Sequence, residues 1–308
     1  MSADTGQGVL VVGESLVDLV RDPDGSIRAH AGGSAANVAV ALARLGCPVQ
    51  LATSYADDEY GRLLAEHLRA AGVGSASVPF ALPATSTATA TLAADGSASY
   101  TFDVDWRLNP VPIGVPPRVV HTCSLAAVLP PGADDVLALV DELRDVATIT
   151  YDVNARPALT GSGPDVVRRV EAMVALSDLV KASDEDLDAL YPELDHRAAA
   201  RHLAGLGPKA VVVTRGGRGA VWLTHDVEFE AFAPQVTVVD TIGAGDTFGA
   251  GLIDGLLGEG LAGAEHRTAL ADLDEATITR LLTHAAAAAA VTVSRPGADP
   301  PYRHELRG

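Results

Sequence analysis

The chain has 308 residues, is 48% hydrophobic and carries a formal net charge of −18. It is long enough to bury one large core, or one core with a small appendage, and its acidity without any basic cluster argues against a nucleic-acid-binding surface. Cys47 and Cys123 show no metal-like spacing and no disulfide framework, the N-terminus lacks a basic-then-apolar signal, and the longest apolar run, 285–291, is too short to span a bilayer; a soluble cytoplasmic protein is expected, with no membrane or nucleic-acid partner.

Residues 9–13, a short apolar run ending in glycine, read as a buried strand. Segments 15–20 and 26–30 flank Asp22-Pro23-Asp24-Gly25, a strong turn, and predict a hairpin. Gly32-Gly33-Ser34 opens a helix over 35–45, which Gly46 ends. A strand at 49–53 and a helix at 59–71, stopped by Gly72, come next. Segments 85–92 and 97–104 flank Asp95-Gly96 and predict a second hairpin, with the alternation of a sheet exposed on one face. From 118 the pattern alternates, with strands at 119–122, 148–153, 179–181 and 210–214 and helices at 134–146, 164–175, 185–190 and 197–206. A strand at 220–223 hairpins to 227–232, and a long alanine-rich helix at 273–294 stops at Pro296-Gly297. Such alternation predicts an α/β fold with a mostly parallel sheet and helices on both faces, and the two hairpins could pair into a small outlying sheet.

The stretch 240–251, DTIGAGDTFGAG, follows a β-branched run at 236–239 and leads into an apolar segment. It predicts a strand, a glycine turn and a helix beginning at about Ala244, whose first N–H groups lack intrahelical partners. Gly243 and Gly245 would let an anion approach that backbone closely. Asp246 is then a carboxylate where an anion should bind. As an ordinary first-turn acid it would contribute at most about 1 kcal/mol, but Asp240 and the crowded glycines around it favour a chemical role. A P-loop requires a lysine in its motif, and neither Lys181 nor Lys209, the only two lysines, has that setting. Gly243, Gly245 and Gly249 spell GxGxxxG, yet no second strand ending in an acid follows, and Asp246 would repel a pyrophosphate. A phosphoryl-transfer site, with amides on the phosphate and a carboxylate accepting a hydroxyl proton, needs an acid at that place.

These residues also carry a resemblance. DTIGAGDTFGAGL resembles the C-terminal signature of the ribokinase-like (PfkB) carbohydrate kinases, and GGSAANVAVALARLG at 32–46 resembles their N-terminal signature. Gly13-Glu14 with Asp18, Asp152-Val153-Asn154-Ala155-Arg156, the turn at 214–219 and Arg295-Pro296-Gly297-Ala298 agree, so the resemblance spans the chain. It implies one three-layer α/β/α kinase domain over 1–308, with a discontinuous β lid at 14–31 and 85–107, using ATP and Mg²⁺. Asp246 would be the catalytic base, and Gly243, Ala244 and Gly245 the anion hole. Asp18, Gly32, Gly33 and Asn37 would hold sugar hydroxyls, with Phe102, Asn154 and Arg156 also on the substrate side. Thr214, Gly216 and Gly219 would flank the nucleotide, Ala285 and Ala289 would face the adenine, and Asp240 with Gly297 would border a monovalent cation such as K⁺. One departure concerns the family's Asn-x-x-Glu motif, which here is Ser183-Asp184-Glu185-Asp186. Ser183 and Asp186 could serve Mg²⁺ through water, or form a helix-capping box, or do both.

Weaker candidates have ordinary alternatives. His121 and Ser124 follow a core strand, where pockets form, but a packed or solvated histidine accounts for His121 as well. Arg156 could bind a phosphate or the substrate, or sit in a surface salt bridge. Phe102 and Trp106 could cover an apolar sugar face or simply pack the lid. Within the family, GGSAANVA, DVNAR and HTCS are most similar to the fructokinase and 2-keto-3-deoxygluconate kinase branch, so fructokinase is the first expectation. Ribokinase and nucleoside kinase are the alternatives, together with a catalytically silent sugar- or nucleotide-binding regulator. An exposed lid face would allow a homodimer paired through the lids.

Overall fold

The computed structural model describes residues 8–92, 98–225 and 227–306. Its strands are β1 (Val9–Val12), β2 (Leu16–Arg21), β3 (Ile27–Gly32), β4 (Val49–Ala52), β5 (Gly74–Ser75), β6 (Thr87–Leu92), β7 (Ala98–Asp103), β8 (Val119–Cys123), β9 (Thr148–Asp152), β10 (Leu179–Ser183), β11 (Ala210–Thr214), β12 (Ala220–Leu223) and β13 (Glu228–Ala231). Its α-helices are α1 (Ser34–Arg44), α2 (Glu59–Ala71), α3 (Gly132–Leu143), α4 (Pro157–Thr160), α5 (Pro164–Leu176), α6 (Asp184–Leu190), α7 (His196–Ala204), α8 (Ala244–Gly258) and α9 (Glu275–Val293).

Nine strands form one sheet in the order β13-β12-β11-β10-β9-β8-β1-β4-β5, parallel except for β12, which pairs antiparallel with both β11 and β13. The period of two along each strand divides its side chains between two cores. Leu10 and Val12 of β1 join Val211 and Val213 of β11 under α3, α5, α6 and α7. Val9 and Val11 face α1 and α2 on the opposite side, while Ala210 and Val212 face α8 and α9. Sheets buried on both faces need apolar residues at consecutive positions, which is why these strands read as unbroken apolar runs.

The second sheet, β3-β2-β6-β7, joins the two hairpins through parallel pairing of β2 with β6. The turn around Asp95-Gly96 lies outside the described residues. Cross-strand register stacks His30, Asp18, Ala88 and Phe102 in one row and Arg28, Val20, Ala90 and Tyr100 in the next. Both rows line a large cavity, whereas Val17 on the other face is buried and Leu19 and Ala31 also pack against the core cluster that includes α1 and α2.

Three expectations need correction. The run at 236–239 is not a strand: no neighbouring strand pairs with it, Val238 is 59% exposed, and the Val239 N–H donates to Val293 O at the end of α9. Trp106 packs in the main core, with its ring against Gly132, and neither covers the cavity nor packs the lid sheet. Third, α9 with its 19 residues has the length and apolarity of a membrane span, unlike the shorter run 285–291. Ile278, Leu281, Leu282, Ala285 and Ala288 on that helix are buried against the rest of the fold.

Candidate active site

The cavity has a volume of about 1620 Å³ and lies between the lid rows and the ends of β9, β10 and β11. Gly243, in the left-handed region at φ 73°, starts α8 without a side-chain cap. A Cβ there would stand 2.7 Å from the Ala298 side chain, so glycine is required twice over. Among the described residues the N–H groups of Gly243, Gly245 and Asp246 take no hydrogen bond, whereas the Ala244 N–H turns back to Thr241 O at 3.2 Å. Two of the predicted trio, Gly243 and Gly245, keep a free N–H, while that of Ala244 is occupied and that of Asp246 is free as well.

The Asp246 carboxylate is 6% exposed. Ser34 Oγ donates to its Oδ1 at 2.7 Å and Asn37 Nδ2 to its Oδ2 at 2.8 Å. Asn154 Nδ2 donates to Ser34 Oγ at 2.8 Å and reaches Oδ1 at 3.3 Å. Two elements far apart in sequence, α1 and the loop after β9, therefore fix one carboxylate. Lys181 Nζ, paired with Asp152 at 2.9 and 2.8 Å, approaches the same turn, since a Cβ on Gly245 would lie 3.4 Å from it. Burial alone would push the Lys181 ammonium down, but Asp152, Asp186 and Asp246 outweigh it and hold its pKa above the ordinary value.

On the lid side, Gly32 and Gly33 allow two close approaches. A Cβ on Gly32 would collide with Asp18 Oδ2, and one on Gly33 (φ 99°) would meet Glu14 O at 2.7 Å. Burial raises Asp18 to about 6, against the pull of His30 and Arg156. Glu14 is 4% exposed; its Oε1 accepts the Ser34 N–H at 3.3 Å and its Oε2 has no partner among the described residues. Burial pushes its carboxyl up to about 7. Among the described residues Arg156 meets no carboxylate; its Nη1 donates to Asn154 O and Ala155 O of its own loop, and the residue lines the cavity.

Thr214, Gly216, Gly219, Ser183, Asp186 and Ala289 all line the cavity. Ala285 does not, being fully buried against Gly251 of α8. Ala286, Ala289, Ala290 and Val293 form the helix face toward the cavity, so of the expected pair Ala289 is on that face and Ala285 is not. Asp240 holds the loop through Ile242 N–H at 3.0 Å and Gly297 N–H at 2.8 Å. Ser183 and Asp186 form the capping box, and no group of three or more metal-binding side chains occurs among the described residues. His121 is packed rather than poised: its Nδ1 lies 3.0 Å from Thr150 Oγ1, and burial with the nearby Lys181 lowers it to about 3, while Ser124 reaches the cavity wall.

Sequence reasoning gave no site role to four residues here: Glu14, Ser34, Lys181 and Tyr100. Ser34 opens the helix signature, Lys181 is one of only two lysines, and Tyr100 shares the Phe102 face at a spacing of two, so each left a signal.

The family model described as "pfkB family carbohydrate kinase" matches residues 7–305. The chain belongs to the pfkB family of carbohydrate kinases. It is 35% identical over 260 residues to a fructokinase of Rhizobium leguminosarum bv. trifolii, covering 80% of this chain and 79% of that one. The structure of a Xylella fastidiosa fructokinase with bound ATP superposes with a TM-score of 0.84 at 26% identity, over 97% and 96% of the two chains. A Vibrio cholerae O395 fructokinase double mutant, holding fructose, ADP and a potassium ion, gives 0.77 at 25% identity over 96% and 95%. The family model and the two structures each span nearly the whole chain, so the resemblance is to a complete kinase fold rather than to one segment of it.

Proposed function

We propose that the chain is an ATP-dependent sugar kinase whose acceptor is fructose. One observation carries the reading: Asp246 is a buried carboxylate, fixed by three donors, beside N–H groups with no partner, in a cavity with room for a sugar and a nucleotide. The acceptor hydroxyl lies against Asp246, which takes its proton as the oxygen attacks the γ-phosphorus and the bond to the ADP oxygen breaks. The amides of Gly243, Gly245 and Asp246, with the Lys181 ammonium, meet the charge on the transferring phosphoryl oxygens. Asp18, Asn37 and Asn154 suit the remaining hydroxyls, offering both acceptors and donors. Phe102 and Tyr100 offer apolar cover from the lid.

Thr214, Gly216, Gly219 and Ala289 fit the nucleotide. Mg²⁺ entering with ATP would neutralise phosphate charge. Asp186 spends one lone pair of each oxygen on the backbone, which leaves room for contact through water. A potassium site beside Asp240 and Gly297 is supported by the ion held by the Vibrio relative. A cytoplasmic location suits two buried, unpaired cysteines.

The Asp246→Asn variant tests the base. Turnover with fructose and ATP should fall by about 10²–10⁴-fold, with fructose affinity within about threefold of wild type. Equal turnover in the variant ends the assignment.

A further inference from the structure

We infer that Asp186 is a positioning residue for the acceptor side: its carboxylate fixes the loop that presents Asn154 to Asp246. The inference rests on Asp246 marking the acceptor site. Asp186 is 7% exposed, and both of its oxygens are engaged by backbone. Oδ1 accepts the Ala155 N–H at 2.7 Å and Oδ2 the Ser183 N–H at 2.7 Å, while Asp186 N–H donates to Ser183 Oγ at 3.0 Å. The carboxylate therefore bridges the start of α6 to the loop that leaves β9.

What that bridge holds is unusual. Asn154 has φ 36°, one of two non-glycine residues with positive φ among the described residues. Asparagine tolerates this conformation better than most residues, but a fixed loop is still needed to hold it there. The flanking N–H groups supply the fixing. Val153 N–H donates to Lys181 O at 2.8 Å on one side, and Ala155 N–H to Asp186 on the other. With both neighbours held by the β10–α6 segment, the Asn154 side chain is turned toward Ser34 Oγ and Asp246 Oδ1. Asp186 stands among the nucleotide-side residues of the cavity, yet its hydrogen bonds lead to the acceptor side. A glutamate at this position would carry its carboxylate one methylene further from α6.

The test is a double-mutant cycle in the full chain, read by fructose binding in calorimetry with neither nucleotide nor divalent cation present. Asp186→Asn sets an amide group against one of the two backbone N–H donors and should weaken fructose binding by about tenfold, the scale of one lost hydrogen bond. Asn154→Ala should cost a similar factor, and the double variant should be no weaker than the worse single variant by more than about twofold. Asp186→Glu, which keeps the charge and both acceptor oxygens, should recover most of the affinity and guards against a folding defect in the Asn variant. Because Asp186 also stands where water could link it to Mg²⁺, the loss is read without divalent cation, where a metal role contributes nothing. Unchanged fructose affinity in Asp186→Asn, or additive losses in the double variant, would each overturn the inference. Deuterium uptake across 153–156 needs no ligand and should rise in Asp186→Asn. Unchanged uptake would overturn the inference even if the acceptor is a different sugar.

Discussion

On the proposed acceptor side of the cavity, Asp246, Ser34, Asn37 and Asn154 are tied to one another by side-chain hydrogen bonds and the acids Glu14 and Asp18 are drawn out of water. The proposed nucleotide side presents mostly backbone and apolar surface along segment 233–242 and the Ala286, Ala289 and Val293 face of α9, with Thr214, Ser183 and Asp186 at its polar edge. The difference matches two tasks. A sugar must be told apart by its hydroxyls and have one of them deprotonated, which calls for oriented side chains. A phosphate is met well by N–H groups and needs little side-chain identity. The acceptor side should therefore be sensitive to side-chain chemistry, and the nucleotide side to anything that adds a Cβ or moves backbone.

The largest effect expected from sharpening this comparison concerns Glu14. Its carboxyl lies at about 7 in the folded protein against an ordinary 4.5, because it is buried. A raised acid binds its proton more tightly when folded, so this contribution is fully present below pH 4.5 and is lost as pH rises through 7. Glu14→Gln removes the dependence and should gain about 3 kcal/mol on wild type between pH 4.5 and pH 8. Denaturant unfolding at the two pH values measures it; parallel slopes for variant and wild type would mean that Glu14 is not held in a dry site. Next comes Gly243→Ala, which places a side chain at φ 73° and against Ala298. The left-handed strain alone is about 1–2 kcal/mol, so kcat/KM for ATP should drop at least about tenfold with circular dichroism unchanged. The smallest effect belongs to Val238→Ala, where the side chain is largely exposed and no strand partner exists. KM for ATP should change by less than about twofold and stability by under about 0.5 kcal/mol. A large effect there would erase the contrast between the two sides.

The sequence carried most of what is local. The start of α8 was legible because Gly243 and Gly245 bracket it, and both hairpins were legible from their turn residues and period-two alternation. What failed was long-range or without phase. Residues 236–239 have the composition of a strand, but a strand exists only when a neighbour pairs with it, and here the backbone meets the end of α9 instead. Residues 285–290 are all alanine, so hydrophobic periodicity gives no phase, and Ala285 was placed on the outward face when it packs inward against Gly251. Ser34 and Asn154 reach Asp246 across separations of 212 and 92 residues, which no local pattern encodes. The double role of Ser183 and Asp186 was half visible: the capping box could be read from spacing, but the bond to Ala155 could not.

The central claim is that this cavity transfers phosphate from ATP to a sugar, and that the sugar is fructose. The most direct measurement is the initial rate of ADP release with fructose, ribose, 2-keto-3-deoxygluconate and a nucleoside at equal concentration, with the sugar phosphate confirmed by mass. The account predicts the highest kcat/KM with fructose. No ADP release above background with any of the four, while sugar still binds, would contradict it.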